Sequence, residues 1–221
     1  MSELTPTQRT EILERHLHDH GHVDPGDVDA AVVAAESASG DAPSPTLGAR
    51  VVARAWVDAD FRARLLTDPV TAIAEYHPQA VPIAVLEDTP SVHNVIVCTL
   101  CSCYPGGLLG NPPAWYKSFE YRSRVVREPR AVLAEFGMEI DSDVELRVHD
   151  STAEQRHLVL PLRPAGTEGW DEAQLASLVT RNAMIGTGRP LPPETTQSRH
   201  LPAAGRRGSR PPDSTDARGT I

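Results

Sequence analysis

The sequence predicts an α+β protein built from a helical N-terminal arm, a mixed central domain and a disordered C-terminal tail. Three observations predict this. From about Leu47 the apolar residues recur at helical spacing. From Ile83 the pattern changes to period two with β-branched residues. From about Pro190 onward the chain is Pro, Gly, Ser, Arg and Thr with almost nothing to bury, the composition of a segment that stays unfolded.

Taken in order, Thr5-Pro6 reads as a helix start, with Thr5 as cap and Pro6 at the first helical position. Ile12, Leu13 and Leu17 give that helix a narrow apolar stripe through His18. After a Gly-Pro-Asp break, a short Ala/Val-rich helix is expected near Val28–Ala35, and Glu36–Thr46 reads as a linker. Residues 1–46 are too poor in apolar side chains to fold alone, so they form an arm that must lie on something else. In the central domain, residues 47–189, Val51, Val52, Ala55 and Trp56 mark one helix, Asp58–Leu66 a second and Val70–Tyr76 a third. Ile83–Leu86 and Val95–Val97 are strands. Pro112-Pro113-Ala114-Trp115-Tyr116 is a rigid turn, Phe119–Arg127 a helix, and Pro129 opens another that ends before Gly137. Val144–Val148 and His157–Leu160 are strands on either side of Asp150-Ser151-Thr152, and Glu172–Val179 is the last helix. Residues 190–221 form the tail.

Composition narrows the function. The 221 residues carry a formal charge of −9, which argues against nucleic acid as the main partner, since phosphate binding needs a concentrated basic face. No apolar run reaches the roughly 18 residues of a membrane span, and the polar N-terminus lacks a signal-peptide core. We expect a cytoplasmic protein, where reduced thiols are available for metal loading.

All 3 cysteines fall in the run Val97-Cys98-Thr99-Leu100-Cys101-Ser102-Cys103-Tyr104-Pro105. An odd, clustered set is not a disulfide framework. Three soft sulfur ligands on one tight turn can face a single metal ion. In the spacing C-x2-C-x-C the last two thiolates share a metal only if the backbone between them bends against it, which small Ser102 permits. The peptide nitrogens of Ser102 and Cys103 then lie close to the ion. Three sulfurs and two amide nitrogens leave one octahedral position open, as a catalytic metal needs. A trivalent low-spin ion suits amide nitrogen, whereas zinc prefers closed tetrahedral ligation. Two other readings stand beside this one: a zinc site with His93 as fourth ligand, and a Cys98–Cys101 redox pair that the third thiol would scramble.

The run Cys98-Thr99-Leu100-Cys101-Ser102-Cys103-Tyr104 resembles the metal-binding signature of the nitrile hydratase α subunit. Glu87-Asp88-Thr89-Pro90, Trp115-Tyr116-Lys117-Ser118, Arg124-Val125-Val126-Arg127-Glu128-Pro129-Arg130 and Arg163-Pro164-Ala165-Gly166-Thr167-Glu168-Gly169-Trp170 extend the resemblance over roughly residues 47–188. The γ subunit of thiocyanate hydrolase shares nearly all of it. The resemblance implies a layered α/β/β/α metal-binding domain after the arm. It implies that Cys98, Cys101 and Cys103 are thiol-derived ligands, with Cys101 oxidised to a sulfinic and Cys103 to a sulfenic acid, and that the amides of Ser102 and Cys103 complete the plane. Thr99 and Tyr104 look like the cobalt type, hence one Co(III) per chain rather than Fe(III). Gln79 lies at the spacing of a family glutamine near the site. The implied reaction is hydration of a C≡N bond to an amide, with water or the Cys103 sulfenate oxygen as nucleophile and Ser102 holding the turn near the substrate. The implied partners are a β-type subunit that supplies arginines to the negatively charged site, a nitrile, and a metallochaperone or activator.

Departures from the family pattern sharpen the expectation. Where members commonly carry Trp-Pro after Tyr-Pro, this chain has Gly106 and Gly107, which opens the substrate pocket toward bulky nitriles. Ala183 stands where many relatives have a cysteine. Trp115 is a further candidate for the pocket wall, with packing beneath the turn as the competing role. His93 reads as a loop or surface residue, His16, His18, His20 and His22 as a solvated helix face, and the arginines from Arg122 to Arg130 as salt-bridge or subunit contacts.

Overall fold

The computed structural model describes residues 12–13, 16–17, 20–22, 31, 34–35, 44–78, 82–101 and 103–193. Most of the helices expected in the arm, and the tail from residue 194, lie outside the described residues.

The central domain begins slightly earlier than its apolar pattern does. Helix α1 runs Pro45–Val57, with Pro45 in its first turn and Ser44 already buried, so the last residues read as linker belong to the helix. Proline lacks only an N–H that a helix start leaves unpaired anyway, so it opens the helix as readily as it breaks one. Leu47, Ala49, Val51, Val52 and Ala55 form its buried face. Asp58 ends α1 and caps α2 (Ala59–Thr67) by accepting from the Phe61 N–H at 2.8 Å. Asp68 does the same for α3 (Pro69–Ala74) through the Thr71 N–H. Such caps each contribute about 1 kcal/mol and fix sharp corners between short helices.

Four strands follow among the described residues, in two parallel pairs. β1 (Ile83–Glu87) pairs with β4 (Arg156–Leu160), Ile83 opposite Arg156 and Glu87 opposite Leu160. β2 (Val92–Val97) pairs with β3 (Glu145–Asp150), Val92 opposite Glu145 and Val97 opposite Asp150. Although β3 and β4 are consecutive around a short turn, they belong to different pairs. Between β2 and β3 lie α4 (Gly106–Leu109), a 3-10 turn (Ala114–Lys117), α5 (Phe119–Arg124) and α6 (Pro129–Glu135). After β4 come α7 (Glu172–Ala176) and α8 (Arg181–Ile185). Neither α4 nor α8 is evident in the sequence pattern, because both are about one turn long.

Phe61, Leu65, Ile73, Ile96, Leu108, Leu109, Tyr116, Leu133, Leu158 and Leu160 are fully buried between these elements. Each such side chain contributes about 1.5–3 kcal/mol relative to exposure. Two glycines set the closest approaches. A Cβ on Gly48 of α1 would meet the Met184 sulfur at 2.7 Å. Gly186, at φ +86, lies so near β2 that a Cβ would meet the Asn94 carbonyl oxygen at 1.9 Å. Together they let α8 close against α1 and β2, which fixes the strand that carries the cysteine run.

Candidate metal centre

β2 ends at Val97 and the chain enters the cysteine run directly. Cys98 and Cys103 are buried and Cys101 is exposed. None of the three is in a disulfide, and their sulfur atoms all lie within 4.8 Å of one another. Cys101 Sγ is 3.4 Å from Cys98 Sγ and 3.0 Å from Cys103 Sγ. The Cys101 N–H donates to Cys98 Sγ at 3.3 Å, which curls the turn so that the sulfurs face one point. Burial pushes the Cys103 thiol up to about 12, and hydrogen bonds with Cys101 and Cys98 add to that shift. The charge of Arg156 works the other way and offsets only part of it. Thiolates this close repel one another, so a cation between them favours the thiolate, which is the metal-binding form. The donor set therefore fits a thiophilic metal ion.

Three other segments grip the backbone of this turn. The β2–β3 register sets Asp150 opposite Val97. Its carboxylate accepts from the Thr99 N–H at 2.9 Å and from the Thr99 hydroxyl at 2.5 Å. Arg122 of α5 donates through Nη1 to the Cys101 carbonyl at 3.0 Å. The Tyr116 hydroxyl donates to the Cys103 carbonyl at 2.9 Å. Burial, with the Cys98 charge adding to it, raises the Tyr116 pKa well above the ordinary value, so it remains a donor. Nearby, the Ser151 hydroxyl is 3.2 Å from His157 Nδ1.

The other expected site residues fall as follows. Ser102 and Gln79 lie outside the described residues. Gly106 and Gly107 open α4 just past the cysteines, and a Cβ on Gly106 would meet nothing within 4 Å. Trp115 is partly buried and sets its ring edge-to-face against Tyr121 at 4.9 Å and Phe136 at 4.7 Å, so packing engages much of its surface. Tyr104 is buried edge-on against Tyr116 at 5.0 Å. His93 is not a loop or surface residue. It is buried in β2, with Nδ1 2.9 Å from Asp88 and Nε2 2.8 Å from the Gly186 carbonyl. Both ring nitrogens are engaged, and the metal-capable cluster among the described residues consists of the cysteines without it. A cavity of ≈ 300 Å³ lined by Asp88, His93, Arg163 and Arg189 opens at this opposite end of β2, away from the cysteines. Sequence reasoning missed Asp150 and the grips made by Tyr116 and Arg122. Their roles come from strand register and helix placement, for which no local motif exists.

Comparison with known proteins decides the family. The model described as nitrile hydratase, alpha chain, matches residues 5–188. The chain belongs to the nitrile hydratase α-chain family. Within it, the chain is 50% identical over 188 residues to the low-molecular weight cobalt-containing nitrile hydratase subunit alpha of Rhodococcus rhodochrous, covering 84% of this chain and 89% of that one. It is 43% identical over 169 residues to the thiocyanate hydrolase subunit gamma of Thiobacillus thioparus, covering 70% of each. Among solved structures, a double mutant of the Fe-type nitrile hydratase from Comamonas testosteroni Ni1 superposes with a TM-score of 0.68 at 38% identity, over 95% of this chain and 100% of that one. The mixed α+β architecture is therefore that of nitrile hydratase α chains. No helix among the described residues is long and apolar enough to cross a membrane.

Proposed function

We propose that this chain is the metal-binding catalytic subunit of a cobalt-type nitrile hydratase, active with a β-type partner, that hydrates a bulky nitrile to its amide. The observation that carries the reading is the convergence of three cysteine sulfurs within 4.8 Å, in a chain 50% identical to a cobalt-containing nitrile hydratase subunit. In this reading Cys98, Cys101 and Cys103 would hold the metal through sulfur and the amides of Ser102 and Cys103 through nitrogen, with Cys101 as sulfinate and Cys103 as sulfenate. Cobalt(III), when bound, would supply Lewis acidity there. The net reaction adds water across C≡N: oxygen goes to carbon, and both hydrogens end on nitrogen. Water or the Cys103 sulfenate oxygen is the nucleophile, and Ser102 and Gln79 bind near the reacting nitrile.

The residues around the cysteines support this assignment of roles. Asp150, Arg122 and Tyr116 each hold one backbone position of the turn, so the sulfurs meet an incoming ion already gathered. Open space at Gly106 supports a wide mouth bounded by Gly106, Gly107 and Trp115. Leu100, 88% exposed within the cysteine run, and Phe119, 73% exposed on α5, are the apolar contacts a partner would cover while bringing arginines to the sulfur anions. The remaining parts of the proposal are an arm of residues 1–46 that wraps that partner, a layered α/β/β/α domain of residues 47–189, a tail of residues 190–221, an activator that loads the metal, and a cytoplasmic location.

The test is turnover. The chain, produced with a β-type partner and cobalt, is assayed on acetonitrile, a large aryl nitrile and thiocyanate. Hydration of nitriles with the aryl compound preferred is expected. Thiocyanate hydrolysis without nitrile hydration would replace the assignment with the sister activity, and a strong preference for acetonitrile would remove the wide pocket.

A further inference from the structure

The cluster of arginines after the cysteine run contains one residue whose contact differs in kind from its neighbours'. Arg124 pairs with Glu128 and Glu135, Arg127 bonds the Ser123 carbonyl one turn back, and Arg130 holds the carbonyls of Ile140, Asp141 and Val144. Arg122 alone of these four points into the cysteine turn: Nη1 donates to the Cys101 carbonyl at 3.0 Å, while Nε donates to the Ser118 carbonyl at 3.3 Å. Ser118 caps α5 through the Tyr121 N–H, and Tyr121 is buried with its hydroxyl 2.6 Å from the Ile96 carbonyl of β2. The helix that carries Arg122 is thus anchored to the same strand that delivers Cys98.

The Cys101 carbonyl is the oxygen end of the peptide whose nitrogen belongs to Ser102. A peptide bound to a cation through nitrogen carries more negative charge on its oxygen, because the two atoms share one delocalised system. A guanidinium donating to that oxygen makes a charge-assisted bond, stronger than a neutral one. We propose that Arg122 is a positioning residue that holds the Cys101 carbonyl and favours the metal-bound form of the Cys101–Ser102 peptide, a positive charge supplied to the centre by this chain itself. The inference rests on the reading of Ser102 nitrogen as a ligand. It accounts for the choice of a cation here, where a neutral donor such as the Tyr116 hydroxyl serves the Cys103 carbonyl.

The experiment compares wild type, Arg122→Lys, Arg122→Gln, Arg127→Gln and Cys101→Ala, each produced with the β-type partner and cobalt. Circular dichroism checks the fold. The readouts are the rate of cobalt loss to a chelator and the energy of the sulfur-to-cobalt charge-transfer band. Arg122→Gln is expected to lose cobalt about tenfold faster, with a shifted band. Arg122→Lys should fall between it and wild type, and Arg127→Gln should match wild type. An Arg122→Gln protein that folds, holds cobalt as wild type does and shows an unchanged band overturns this inference alone. So does a lysine variant no better than the glutamine variant, since charge would then not matter. A wild-type complex without cobalt, or Cys101→Ala that retains it, overturns the metal assignment and this inference with it.

Discussion

The two ends of β2 carry two polar clusters with opposite solutions to the same problem. At its start, Asp88 accepts from the Asn94 N–H at 2.8 Å and from the Asn94 amide at 3.0 Å, and pairs with His93 at 2.9 Å. The second ring nitrogen of His93 is used by the Gly186 carbonyl, and Asn94 Oδ1 meets His149 Nε2 at 2.9 Å. Every named group there is answered by another from the same chain. At the end of β2 the backbone is equally well held, by Asp150, Arg122 and Tyr116, yet the sulfurs face one another. The difference is in what the groups meet: the first cluster pairs a carboxylate with a cation-capable ring, and the second holds three sulfurs against one another in rigid surroundings.

Replacing a sulfur should break the comparison most completely. Cys101→Asp keeps a negative charge and removes the soft donor; we expect weak cobalt retention and a loss of hydration of more than about 100-fold, read by elemental analysis and turnover. Normal activity would refute the ligand assignment. At the opposite end, His93→Gln should cost about 3–5 kcal/mol of stability by leaving Asp88 buried without its cation, while cobalt bound per folded chain stays unchanged. Denaturant unfolding with metal analysis distinguishes the two quantities. Burial alone would lower the His93 pKa. The hydrogen bond and charge of Asp88, joined by the Gly186 carbonyl, outweigh burial and the charge of Arg189 and leave it above the ordinary 6.5. The pair therefore contributes fully below about 6.5 and its contribution is lost as pH rises through the raised value. The stability difference between wild type and His93→Gln should shrink in that direction.

A smaller effect is expected where a neutral donor is removed. Tyr116→Phe leaves the Cys103 carbonyl without its donor, at a cost of about 1–3 kcal/mol, and should also shift the sulfur-to-cobalt absorption. Stability loss without a spectral change would limit Tyr116 to packing. Least costly to the fold is Gly106→Trp. The position is open and ends in no left-handed conformation, so stability should change by only about 0.5 kcal/mol. Turnover of a large aryl nitrile should fall relative to acetonitrile, and an unchanged ratio would mean that α4 does not border the substrate.

The same contrast explains what could be read from the sequence. Cys98, Cys101 and Cys103 are legible as a cluster because side chains on one tight turn are neighbours in the chain. The helices Asp58–Leu66 and Pro129 to Gly137 are legible because caps and prolines announce them. His93 was misjudged because its partner, Asp88, meets it across a turn and beneath α8, where Gly186 allows contact no periodicity reveals. Asp150, Tyr116 and Arg122 reach the cysteine run, at Thr99, Cys103 and Cys101, from 13 to 51 residues away, through register and packing. Local pattern finds the donors, and tertiary structure decides what holds them.

The most direct test of the central claim is elemental analysis of the chain produced with cobalt, iron and zinc all available. The account predicts about one cobalt per chain, lost in Cys101→Ala. Stoichiometric zinc with no cobalt and no oxidation of the cysteines would contradict it and make the cluster a structural zinc site.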